Sequence, residues 1–180
     1  MKFRYHLTAC VVALLPTSVL ACEPPAVFHA PFQARSNASV PAEIAAYVAR
    51  TKPVIRTTSL ARGAPGESSM CGGMGYINVE IALPPGAPYT LGQVGAEITL
   101  AEGQFHDHVF PKGPVMPIDP GADSLDIGNA WYEGPPPQHK PISAVFHVRL
   151  VAPDGTRGPV TRVVVKSVPK RTDKAEGVSP

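Results

Sequence analysis

Three short stretches carry residue types that could do chemistry. His106-Asp107-His108 places two imidazoles two residues apart. On a strand, positions i and i+2 share a face, so both rings could reach one metal ion, with zinc or copper the natural choices outside the cytoplasm. His139 and His147 are possible third ligands, and the thioethers of Met70, Met74 and Met116 would suit Cu(I). Two histidines do not complete a site, and no third ligand stands at a recognisable spacing. Solvated polar residues on a loop-proximal strand are the simpler reading.

Cys71 lies in Met70-Cys71-Gly72-Gly73-Met74-Gly75. A nucleophilic thiolate needs a lowered pKa and a nearby base, and the sequence places no base beside Cys71. The acids Asp119, Asp123 and Asp126 share one loop region but lack the ligand density of a Ca²⁺ loop. Glu80 and Glu97 sit on polar faces of neighbouring candidate strands, where a glycosidase pair would need a cleft. No Gly-x-Ser-x-Gly, His-Glu-x-x-His or Ser-x-x-Lys occurs. These patterns favour a non-enzymatic protein over a small all-β hydrolase.

The N-terminus sets the compartment. Lys2 and Arg4 precede the apolar run Leu7–Leu15, and Val19-Leu20-Ala21 offers a cleavage site, so residues 1–21 read as a secretory signal peptide. Its removal from 180 residues leaves 159 and takes away two basic residues and no acid, so 14 Lys+Arg balance 14 Asp+Glu. A net charge of zero gives no field toward nucleic acid or an anionic membrane. Cys22 and Cys71 then remain, and an even pair in an oxidising compartment predicts a Cys22–Cys71 disulfide. The rival is lipidation of Cys22, since Val19-Leu20-Ala21-Cys22 loosely resembles a bacterial lipobox. That alternative would anchor the chain to a membrane and leave Cys71 unpaired. Asn37-Ala38-Ser39 matches a glycosylation sequon, which matters only in a eukaryotic secretory pathway.

The remaining chain supplies a scaffold. Residues 22–41 read as an extended, proline-containing segment. Residues 42–52 read as a short helix, with Ile44, Tyr47 and Val48 on one face, Pro41 at its start and Pro53 stopping it. Strands are expected over 53–60, 76–83, 94–101 and 125–132, with a further one over 104–110 and loop from 111 to 122. Ile77, Val79, Ile81 and Leu83 alternate with polar residues, as do Ala96, Ile98 and Leu100. The last structured stretch, 144–168, reads as a hairpin around Pro153-Asp154-Gly155, with Phe146, Val148, Leu150, Val163 and Val165 as core. Pro135–Pro141 reads as an extended segment beside Trp131 and Tyr132, and such aromatic-plus-proline surfaces suit protein partners. Residues 170–180 read as a disordered tail.

Short strands divided by Pro/Gly loops argue an all-β, antiparallel sandwich over 53–169. That stretch resembles the immunoglobulin-like or fibronectin type III-like sandwich in its strand count, in Trp131 and in its final hairpin. It departs from the family pattern because Cys22 and Cys71 lack the spacing of an inter-sheet pair, and the final strands hold no tyrosine for a tyrosine corner. The expectation is a secreted or periplasmic binding or structural module whose partner is an envelope or extracellular protein. Its function should lie in the irregular segments, 103–141 and the Gly-rich loop around Cys71.

Overall fold

The computed structural model describes residues 28–33, 41–62, 73–106, 108–134 and 138–168. Cys22, Cys71, Met70, Asp107, the 37–39 sequon, residues 135–137 and the 170–180 tail lie outside the described residues, and with them the disulfide and lipid readings. Within the described residues the protein is mostly β, with two antiparallel sheets packed together and one short helix.

The strands are β1 (His29–Pro31), β2 (Val54–Ala61), β3 (Met74–Ala82), β4 (Gly95–Gln104), β5 (Val115–Pro117), β6 (Ser124–Tyr132), β7 (Ile142–Val151) and β8 (Thr161–Ser167). One sheet runs β1-β5-β4-β7-β8 and the other β2-β3-β6. The period of two explains the pairing. Ile77, Val79 and Ile81 on β3 are fully buried, opposite Leu125 and Ile127 on β6. Phe146, Val148, Leu150, Val163 and Val165 fill the facing side from β7 and β8, as their alternation predicts.

Helix α1 (Ala42–Arg50) has Glu43 in its first turn and Arg50 in its last, matching the helix dipole. It ends because Thr51 turns extended, and its hydroxyl donates back to the Tyr47 carbonyl at 2.6 Å. Pro53 then holds the chain extended into β2. Nine residues do not hold a helix in water, so burial of Ile44, Tyr47 and Val48 holds it. Gly158 permits that docking, since a Cβ there would sit 2.5 Å from the Val48 carbonyl oxygen.

Three departures from the sequence reading have local causes. The chain leaves the sheet after Gln104, so 105–110 is loop and not a further strand. A register shift between Leu100 and Glu102, with Gly103 at φ 83°, bends β4 there. Leu100 is 45% exposed rather than core, because β5 flanks β4 only at Ala96↔Val115 and leaves its later half uncovered on that side. Within the expected 111–122 loop, Val115–Pro117 forms β5, and it pairs with His29–Pro31 from the segment read as an extended lead-in. Pro31 hid that strand, but an edge strand tolerates a proline.

Candidate functional site

Antiparallel order gathers six strand termini at one end of the sandwich. Ala61, Met74 and Tyr132 end or begin their strands there, and so do Gln104, Ile142 and Ser167. The segments that follow or precede them, distant in sequence, therefore meet.

Beneath this end lies a buried ionic cluster. Arg62 Nε donates to Glu133 Oε2 at 2.9 Å, and Arg62 Nη2 donates to Glu133 Oε1. Their side chains are only 9% and 7% exposed. The two-pronged geometry suits a guanidinium and a carboxylate. His139 is buried beside them, its Nε2 2.9 Å from the Gly134 carbonyl oxygen and 3.7 Å from Glu133 Oε2. The Glu133 backbone N–H donates to the Gly73 carbonyl at 2.8 Å, which ties the loop after β6 to the start of β3.

Above the cluster stand planar rings fixed from behind. The His106 imidazole stacks on the Trp131 indole, with centroids 5.2 Å apart and planes 26° apart. Trp131 lies over Gly75, where any Cβ would overlap the indole. Phe105 packs edge-on against both Trp131 and Phe146. Tyr132 is 74% exposed, and its ring rests on Gly73, 3.0 Å from where a Cβ would stand. The glycines of the Gly-rich loop thus give these rings their seats.

These groups border an open cleft of about 390 Å³, in the size range of ligand sites. Gln104, Gln138, Lys140, His106 and Tyr132 supply its polar lining, and Phe105, Pro141 and Ile142 its apolar part. Glu133 also lines it, with both oxygens committed to Arg62. Phe105 and His106 line a second hollow of about 220 Å³ as well, with Leu100, Phe110, Pro111 and Lys112.

The other sequence candidates are dispersed. His106 borders the cleft, but His108 opens an exposed turn, so the shared-face geometry of a strand does not apply to the pair. His139 belongs to the buried cluster, and His147 sits on the outer face of β7 between Thr99 and Arg162. Met74 and Met116 lie on different sheets. Among the described residues no group of three His, Cys, Asp or Glu side chains could hold a metal ion. Asp119 accepts from the Gly121 N–H, Asp123 pairs with Arg56, and Asp126 accepts from Asn78. Glu80 and Glu97 occupy the outer faces of opposite sheets, so they form no catalytic pair.

No local pattern in the sequence marks Arg62, Glu133 or Gln138. The available signal was topological: β2 and β6 both pair with β3, so the residues just after Ala61 and Tyr132 must share an end. No helix among the described residues is long and apolar enough to cross a membrane. A scan of protein-family models, a search of curated proteins and a search of solved structures each return no match.

Proposed function

We propose that this protein is a non-enzymatic binding module of the periplasm or the extracellular space, and that it engages another envelope or extracellular protein through the cleft at its loop end. The observation that carries this reading is the seating of exposed rings. Tyr132 and His106 are held by Gly73 and Trp131 beside a cleft, and pre-organised aromatic groups are the usual anchors of protein interfaces. The immunoglobulin-like or fibronectin type III-like character of the sandwich belongs to this proposal. Two antiparallel sheets and the final hairpin support it, and such scaffolds commonly bind through loops at one end. The apolar run and positive start of residues 1–21 support export.

The test is site-specific photocrosslinking in the native envelope, with a photoreactive phenylalanine analogue at Tyr132 and, separately, at Tyr89. A discrete adduct with a second protein from position 132 alone is the expected result. Adducts from position 89 alone, or none from 132, contradict the reading.

A further inference from the structure

The chemistry of the cleft selects among occupants, and this step rests on the binding reading above. Four features bear on it. Among the described residues the one carboxylate lining the cleft, Glu133, is neutralised by Arg62. What remains is rich in donors: the Lys140 ammonium and the carboxamides of Gln104 and Gln138 carry seven N–H bonds between them, besides the Tyr132 hydroxyl. Two hollows share Phe105 and His106, so an occupant crossing both follows an extended track over an aromatic ridge. Among the described residues each hollow has one lysine on its lining, Lys140 in the first and Lys112 in the second.

A saccharide fits this poorly. Its hydroxyls donate as well as accept, and with Glu133 committed the described lining offers their protons only neutral acceptors, the carboxamide oxygens of Gln104 and Gln138, the Tyr132 hydroxyl and the His106 ring. An extended proline-rich peptide fits well. Its carbonyls are unpaired acceptors, its prolines have no N–H to satisfy, and its rings pack on aromatic faces with little entropy left to lose. The geometry points to a polyproline-type segment with acidic residues flanking the proline run, docked across Phe105 and His106 with its carbonyls facing Gln104, Gln138 and Tyr132. Lys140 and Lys112 meet the flanking acids, an arrangement that sets orientation and association rate as well as affinity.

Trp131 is the only tryptophan and lies under His106, so its fluorescence reads the site directly. The full chain is titrated with a blocked decapeptide of prolines bearing a glutamate near each end. Controls are the same peptide with alanine for proline, the same with lysine for glutamate, and a cello- or chito-hexasaccharide. Saturable quenching by the parent peptide is expected, at least about tenfold weaker for the alanine peptide and for Tyr132→Ala, as for loss of an aromatic anchor. Lys140→Glu with Lys112→Glu should reverse the preference to the lysine peptide. Equal affinity for all three peptides, no saturation at millimolar peptide, or saturable binding of a saccharide instead overturns the proposal. An adduct retained at position 132 alongside any of those results would sink the peptide assignment and leave the binding reading standing.

Discussion

The two ends of the sandwich are built differently. At one end helix α1 and the 83–94 loop close the core: Ile44, Tyr47, Val48, Leu91 and Val94 are buried, and the Tyr89 ring is taken up edge-on against Tyr47, 5.2 Å between centroids. A groove of about 290 Å³ remains there, but its charges, Arg56 and Asp123, pair with each other in solvent, 41% and 83% exposed. At the other end the ion pair is sunk beneath the surface, and Tyr132 and His106 face outward, backed by Gly73 and by the buried Trp131. One end spends its aromatic residues on packing, whereas the other packs Trp131 and Phe146 and displays Tyr132 and His106. Desolvating Arg62 and Glu133 is expensive, and an apolar pair could fill the same space at equal or lower cost. The cluster instead joins the end of β2 to the loop after β6, and so holds the floor of the cleft.

The contrast is broken most severely at that floor. Glu133→Ala leaves a buried guanidinium uncompensated and should cost about 3–5 kcal/mol in denaturant unfolding. Adding Arg62→Met should recover much of the loss, and a double mutant no more stable than the single would show that the pair is not the cause. Gly75→Ala forces the indole to move and should cost about 1–3 kcal/mol, with a shifted Trp131 emission. Unchanged emission would mean that Gly75 does not seat Trp131.

The display residue should behave in the opposite way. Tyr132→Ala should change stability by no more than about 0.5 kcal/mol, the range for exposed side chains, while peptide affinity falls. A large stability loss would place Tyr132 in the scaffold instead.

Acid should act at β1. Burial pushes the His29 imidazole below its ordinary pKa, only partly offset by the neighbouring Asp126 backbone. The unfolded chain therefore binds this proton more readily than the folded one. Stability should fall as pH drops below the unfolded value near 6.5 and level off beneath the lowered folded value. His29→Gln should flatten that step, and an unchanged pH profile would assign it elsewhere. The smallest effect belongs to the exposed pair. Arg56 holds the Asp123 carboxyl below its usual range, through a hydrogen bond first and charge second, yet both sit in solvent. Arg56→Ala should leave the melting midpoint nearly unchanged in physiological salt.

Much of the scaffold was legible from side-chain period. The alternation of Ile77, Val79 and Ile81, and of Phe146, Val148 and Leu150, leaves one way to bury an apolar face. Ile44, Tyr47 and Val48 marked the helix for the same reason. The cleft was legible only as a region. Arg62 and Glu133 stand 71 residues apart in segments without periodicity, and nothing local links them. His106 and His108 share a face only if a strand runs through 110, and the chain leaves the sheet after Gln104, past the bend at Leu100–Gly103. Gly73 and Gly75 make room for the Tyr132 and Trp131 rings, which no periodicity around Cys71 announces.

The most direct measurement is amide and indole shift mapping by NMR during titration with the acidic proline-rich peptide. Perturbations at the Trp131 indole N–H, Tyr132, Gln104 and the Gln138 carboxamide, with Tyr89, Leu91 and Gly86 unmoved, are the predicted result. Perturbations centred on Tyr89 and Gly86, or no site-specific shifts at saturating peptide, would contradict the assignment of binding to the displayed end.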